Sequence, residues 1–316
     1  MTPAAALPAH SARPAAARIA SVTSLAARQA RFASAVEAIG HLVPPSPWSG
    51  RVHSVFARAC NVACGELLLT IGTRAVGDGP TTVILAGNPG DLRDRFAEGE
   101  RIDAREGRIR SARIELELAN ARVWRPAERG PLVSDLQLEA RLRDVSVQLD
   151  ARREAQPNVL DREAGAVAKA LAAACATLDV AAASAQVDRL IGWGEGLTPA
   201  GDDFLVGLLA GFDALARGDA FRLAFRDALA THVAASTERT TPIAAHALRL
   251  AAAGAWSARI DRLLVAICCR SEREPDAEAA LDELLALGAT SGADTACGIV
   301  AALYAWSRAP SFAEAA

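Results

Sequence analysis

Residues 192–215 read GWGEGLTPAGDDFLVGLLAGFDAL. From Phe204 to Leu215 the run is nearly all apolar, which predicts a helix buried on every side. From Gly192 to Asp203 it holds four glycines, at i, i+2, i+4 and i+9, a Thr-Pro step and two adjacent aspartates. Glycines let a backbone turn sharply and come close to a ligand. Thr198 before Pro199 predicts a helix start, with Thr198 as N-cap and Pro199 at the first helical position. A Gly-rich turn feeding a helix N-terminus is a general way to hold an anion on backbone N–H groups. Asp202 and Asp203 bring negative charge to the same place, and a reading of function has to account for both.

Helical patterns surround this stretch. Residues 159–190 are Ala-rich with Val167, Leu171 and Leu178 at helical spacing, and 219–235, 242–253, 258–270, 276–287 and 293–307 repeat the pattern. The C-terminal part, 158–310, therefore reads as an all-α domain of six to eight helices. Before it the pattern is different. Leu67–Ile71 and Thr82–Leu85 are short apolar runs bounded by Gly, Asp and Pro, as strands require. Residues 109–124 alternate in part, and Leu136, Leu138, Leu142, Val145 and Val147 read as a continuation of the strands. Residues 21–150 are thus expected to be a mainly β domain, a small barrel or sandwich. It would open with a helix over 21–42 (Leu25, Phe32, Val36, Ile39) and carry a short helical insertion at 93–99. Residues 151–157, polar and ending in Pro157, read as the linker. The fold class is α+β.

Composition narrows the function classes. The chain has 316 residues, 51% of them apolar but only 4% aromatic; much of the apolar content is alanine, which predicts closely packed helices. A net charge of −3 gives no electrostatic case for nucleic acid. No run approaches the roughly 18 apolar residues of a membrane span. The six cysteines lack paired C-x-x-C spacing and read as reduced, buried residues of a cytoplasmic protein. Residues 1–20 are rich in Ala, Pro and Arg without acids, the look of a transit peptide. In an Ala- and Arg-rich, Lys-poor chain they read as a disordered tail.

Three segments share one local chemistry: Thr198–Asp203, Ser236–Pro242 and Gly288–Thr295. Each places hydroxyl residues where an apolar helix begins, so each is a helix N-terminus with free N–H groups. Converging, they would form a donor-rich pocket suited to phosphate or carboxylate. Backbone at Gly194, Gly196, Gly201 and Gly292 and the hydroxyls of Thr198, Thr240, Thr241 and Ser291 are the candidate donors. His246, one turn after Pro242, is placed either to face the same pocket or to be a hydrogen-bonded packing residue of its Ala-rich helix, and His53 and Asn61 are placed to reach across from the β domain. Asp202, Asp203 and Asp294 have three readings: carboxylates favourable to the helix dipole, acceptors that rigidify the loop, or ligands of Mg²⁺ bridging to a substrate phosphate. Glu195 adds a nearby carboxylate. The G-x-G-x-G of the loop follows a helical pattern rather than a strand, so a dinucleotide site is excluded by context. No Ser-His-Asp order stands out.

The pattern Gly194-x-Gly196-Leu197-Thr198-Pro199-x-Gly201-Asp202-Asp203-Phe204-Leu205-x-Gly207 resembles the signature of a bacterial family long labelled only as a domain of unknown function. That family includes the AllH subunit of oxamate carbamoyltransferase from allantoin catabolism. Leu287-Gly288-x-Thr290-Ser291-Gly292-x-Asp294-Thr295 resembles its second C-terminal motif, Thr240-Thr241-Pro242-Ile243 matches a third more weakly, and His53–Phe56 through Asn61 resembles its opening strand. The resemblance implies one of three subunits of an enzyme that moves a carbamoyl group between oxalurate and phosphate, giving oxamate and carbamoyl phosphate. A small anionic substrate and other protein subunits are the implied partners, with no nucleic acid and no membrane, and no cofactor is required unless the aspartates hold Mg²⁺. Catalysis would fall to Asp202, Asp203 and Asp294. Two other readings stay open: a Mg²⁺-dependent hydrolase built on those aspartates, and a non-catalytic assembly subunit.

Overall fold

The structure is a computed structural model that describes residues 31–155, 164–270 and 276–307. The expected tail over 1–20, and the part of the expected first helix before residue 31, lie outside the described residues. Nine strands come first: β1 (Phe32–Gly40), β2 (Trp48–Val55), β3 (Ala59–Cys64), β4 (Leu67–Gly72), β5 (Thr82–Leu85), β6 (Arg101–Arg105), β7 (Arg108–Arg110), β8 (Ile114–Glu117) and β9 (Arg122–Trp124). They pair in the order β5-β4-β3-β2-β6-β7-β8-β1, and a β1–β5 pairing closes the ring. The result is an eight-stranded barrel, with β9 added on β1 beyond the end of β8. Its interior is filled by alternate residues, among them Val36, Val52, Val62, Leu69, Ile71, Val83, Ile102, Ile109 and Leu116. Leu92, in the 3₁₀ turn Leu92–Asp94, and Phe96 join that core; this turn is all that forms of the expected helix over 93–99.

The closing strand β1 corrects the helix expected over 21–42. Phe32, Val36 and Ile39 happen to fall at helical spacing. The face that is buried, however, is Val36, Ala38 and Gly40, a period of two carried partly by residues too small to register as hydrophobic. Gly40 packs so tightly that a Cβ there would lie 2.2 Å from the Gly79 carbonyl oxygen. With β5 on one side and β8 and β9 on the other, ladder pairing overrides local propensity.

Nine α-helices follow among the described residues: α1 (Asp135–Ala155), α2 (Gly165–Ala176), α3 (Val180–Leu190), α4 (Ala200–Leu215), α5 (Ala220–Ala235), α6 (Pro242–Ala252), α7 (Ala258–Cys268), α8 (Ala277–Leu285) and α9 (Ser291–Ser307). Helix α1 corrects the strands expected at 136–147. Leu138, Leu142, Val145 and Leu149 are buried with the helical core, at i, i+4, i+7 and i+11. The misleading alternation came from Leu136 and Val147, which are 80% and 64% exposed. A start signal was present: Ser134 and Gln137 exchange hydrogen bonds, Gln137 Oε1 accepting from the Ser134 N–H at 3.2 Å and Ser134 Oγ from the Gln137 N–H at 3.4 Å, which is a capping box.

Helix α4 is the axis of the helical half. Every residue from Ala200 to Leu215 except Asp213 is buried. It crosses α9 at backbone contact: a Cβ on Gly207 would lie 1.9 Å from the Thr295 carbonyl oxygen, and one on Gly298 would lie 2.0 Å from that of Phe204. Only glycine fits at either position. All six cysteines are free, and Cys60, Cys175, Cys268 and Cys269 are buried. Among the described residues no helix is long and apolar enough to cross a membrane.

Because the α4–α9 crossing has no room for a methyl group, Gly298→Ala should destabilise the protein by about 3 kcal/mol or more, at the upper end of overpacking costs. Gly218→Ala, in a turn where a Cβ meets nothing within 4 Å, should cost only backbone strain of about 1–2 kcal/mol. Chemical denaturation of the two variants checks the order; equal losses would contradict the packing account.

Candidate functional site

The loop from Gly192 to Pro199 leaves α3 and enters α4. Gly192, Gly194 and Gly196 have φ of 72°, 111° and 91°, a region open to glycine at little cost. At Gly194 close approach adds to this, since a Cβ would lie 2.7 Å from the Ala200 nitrogen. Pro199, not Thr198, occupies the N-cap position of α4, and no side chain caps the helix. The Thr198 hydroxyl instead reaches across to α9 and hydrogen-bonds Ser291 Oγ at 2.9 Å. This corrects the expectation that Thr198 is the cap.

The N-termini of α4, α6 and α9 do converge. Thr240 donates its hydroxyl proton to Asp202 Oδ2, and Thr241 donates to the Leu197 carbonyl at 2.5 Å while capping α6 by accepting from the Ala244 N–H at 3.2 Å. Asp202 Oδ1 accepts the Gly192 N–H at 2.9 Å. Asp202 is 1% exposed and both its oxygens are used, so it stitches the loop to the 237–241 segment. Of the three readings of the aspartates, loop rigidification describes this one.

Asp203 and Asp294 differ from it. Asp203 lies against the Thr198 and Ser291 hydroxyls, yet its Oδ2 is buried with no hydrogen-bond partner. Burial pushes its pKa up to about 7 against the pull of the Ser291 and Thr198 hydroxyls, and the Asp294 and Asp202 charges push the same way. Asp294, fully buried, is pushed up to about 6 by burial, opposed by a hydrogen bond from Thr290 and by the charge of Arg153. Arg153 lies in the stretch expected to be the linker, which the structure instead makes the last turn of α1. Burial also raises Asp202, opposed by its bonds from Thr240 and Gly192. Among the described residues no group of three or more His, Cys, Asp or Glu side chains is placed to hold a metal ion. Asp202, Asp203 and Asp294 thus do not form the joint Mg²⁺ site considered from sequence.

Donors remain on the loop itself. Gly201 gives its N–H to the Trp193 carbonyl at 2.9 Å, which closes part of the α4 terminus. Within the described chain, the N–H groups of residues 194–198 enter no hydrogen bond, and Glu195, Gly196 and Leu197 are exposed. The exposed part of this loop thus carries N–H groups that are unbonded within the described chain, and it ends at Thr198, whose hydroxyl lies against Asp203.

The structure gives the other sequence candidates different work. Gly201 and Gly292 are buried contact points, where a Cβ would lie 2.1 Å and 2.0 Å from the carbonyl oxygens of Leu190 and Leu284. His246 leaves the pocket for the barrel, where its ring nitrogens meet the Leu68 N–H at 3.4 Å and Thr81 Oγ1 at 3.3 Å. Burial, and then Arg249, lower its pKa to about 4, so it docks α6 as a neutral imidazole. Asn61 is held between Ser54 and Thr70, and His53 meets Ser54 at 3.1 Å; no hydrogen bond joins either to the loop. Missed from sequence was Asp188 on α3, which pairs with Arg239 at 2.9 Å and His232 at 3.1 Å and secures the segment against which Gly192 packs.

Asp203 gives the site a pH signature. The folded state holds this proton more tightly than the unfolded chain, whose carboxyl titrates near the ordinary 3.8. The associated stability is full below about pH 4 and is lost as the pH rises through about 7. Asp203→Asn, which keeps the shape and cannot ionise, should match wild type near pH 4 and exceed it in Tm at about pH 8. A difference in Tm that does not grow with pH would contradict the buried-carboxyl account.

Two family models match the chain. The one described as "Oxamate carbamoyltransferase subunit AllH" covers residues 190–303, which include the motif loop and helices α4 to α8 with most of α9. The one described as "AllH family N-terminal domain" covers 26–123, the barrel. Neither the curated proteins nor the solved structures give a match. Taken together, barrel and motif-bearing helices are both accounted for by one family, and the chain belongs to the AllH-like family.

Proposed function

We propose that this chain is the anion-binding subunit of an oxamate carbamoyltransferase, working with other protein subunits. The observation that carries the reading is Asp203: a buried carboxyl with a pKa near 7 and an unpartnered oxygen, beneath a loop whose N–H groups make no bonds within the described chain. An anion cradle with two fixed negative charges would repel its ligand. A carboxyl that burial keeps partly protonated at neutral pH can instead donate a hydrogen bond to it.

Carbamoyl transfer needs the same group. A phosphate oxygen attacks the ureido carbonyl of oxalurate, the C–O bond forms and the C–N bond to the oxamate nitrogen breaks. The attacking hydrogen phosphate gives up one proton and the departing amide nitrogen takes one. Asp203, with a pKa near the working pH, is suited to carry that proton. The loop N–H groups would hold the phosphate or carboxylate, and the Thr198–Ser291 hydroxyl pair would orient the Asp203 carboxyl. Asp202 acts one step back, holding the loop in shape. Most of the catalysis is then positioning and preorganised polarity.

In the assembled enzyme Asp203→Asn should lower kcat by roughly 10²-fold or more, the usual worth of a general acid–base group, with a smaller effect on KM. For the chain alone, carbamoyl phosphate or oxamate should raise Tm. Gly196→Ala, which meets no neighbour but must hold φ of 91°, should weaken this binding about tenfold or more, the equivalent of roughly 1.4 kcal/mol. Absence of protection by phosphate, carbamoyl phosphate and oxamate alike, with an unchanged kcat in Asp203→Asn, would refute the proposal.

A further inference from the structure

A cavity lies at the seam between barrel and helices and shares no lining residue with the motif loop. It measures about 220 Å³ and is lined by His41 and Trp124 from the barrel, and by Arg129, Arg217 and Trp256 from the helical side. Two of the chain's five tryptophans are therefore committed to one small space, in a protein that uses few aromatics anywhere.

Its walls are preorganised. Arg129 bonds Asp213 at 3.1 Å and Asp261 at 3.4 Å, which neutralises its charge, and its guanidinium lies 5.0 Å from the centre of a Trp256 ring. Asp261 also accepts the Ala127 N–H at 3.3 Å, so the segment leading out of the barrel is tied to α7. The two functional groups that remain are Arg217 and His41. Arg217 is exposed, makes one long hydrogen bond to the Arg129 carbonyl at 3.4 Å, and enters no ion pair among the described residues. His41 Nδ1 is buried and has no hydrogen-bond partner. The ring stands 5.9 Å from that of Trp124. Burial, and then the charge of Arg125, hold its pKa below the usual histidine range, opposed by a hydrogen bond to the Trp124 backbone, so it is a neutral imidazole whose donor nitrogen is engaged and whose Nδ1 is an acceptor.

Indole walls favour a flat group, and an uncompensated guanidinium favours a carboxylate. We infer that this cavity is a ligand site for a small planar carboxylate, with Arg217 as its charge partner and Trp124, Trp256 and the neutral His41 ring as its walls. At roughly 30 Å³ per water molecule, the volume equals about seven waters, enough for a ligand of the size of benzoate. The inference does not depend on carbamoyl transfer at the motif loop.

The test uses the full chain, with benzoate as probe and benzamide as its neutral counterpart. Benzoate at about millimolar concentration should raise Tm and alter the tryptophan emission, and benzamide should bind about tenfold more weakly or worse. Arg217→Gln should lose the benzoate response by a similar factor without a change in circular dichroism, while binding of carbamoyl phosphate at the motif loop stays as in wild type. Trp124→Phe should keep the Tm response and lose most of the emission change. Equal binding of benzamide, an undiminished response in Arg217→Gln, or no response to benzoate by either measure would overturn the inference.

Discussion

The crossing of α4 and α9 at Gly207 and Gly298 sets the geometry of everything around it. Two helices that meet at backbone contact cannot slide or rotate without a steric clash, so their first turns are held in a fixed relation. That relation puts Thr198, at the entrance to α4, within hydrogen-bonding distance of Ser291, the first residue of α9. Asp203 sits one turn into α4 and Asp294 one turn into α9, both buried by the same crossing. The glycines in the interior of these helices therefore decide which polar groups can share a site at their ends.

Burial by that crossing also resolves the electrostatic puzzle of the motif. Three carboxylates at a site for an anion would be self-defeating if all were ionised. Asp202 spends both oxygens on the loop and on Thr240, a structural use that stabilises its charge. Desolvation moves all three toward neutrality, Asp203 to about 7 and Asp294 to about 6, and hydrogen bonds from neighbouring donors oppose the shift at each. The same residue type at adjacent positions thus does two kinds of work. One aspartate holds the loop; the other keeps a buried oxygen without a partner. The depth of burial and the kind of donor around each carboxyl separate them.

The sequence was legible where one residue class dominates a face. The runs at Leu67–Ile71 and Thr82–Leu85 read as strands because both faces are apolar or cleanly bounded, and α4 read as a buried helix because nearly every residue is apolar. It was misread where small or exposed residues carry the pattern. In β1 the buried positions include Ala38 and Gly40, invisible to a hydrophobic count. In α1 the exposed Leu136 and Val147 mimicked a strand, although Ser134 and Gln137 announced a helix start. His246 read as a pocket residue because one helical turn separates it from Pro242, but the turn aims it at Leu68 and Thr81 of the barrel.

By itself the sequence determined the α+β class, the hydroxyl- and glycine-rich helix starts, and the family likeness of its motifs. These are local properties: helix starts, turn glycines and apolar runs follow from backbone sterics and short-range hydrogen bonding. Tertiary structure alone decided that β1 closes the barrel, that Thr198 pairs with Ser291 instead of capping its own helix, and that Asp202 and Asp203 take different roles. Each of those outcomes depends on partners brought from distant positions and on exclusion of water, and neither is encoded in any single stretch of the chain.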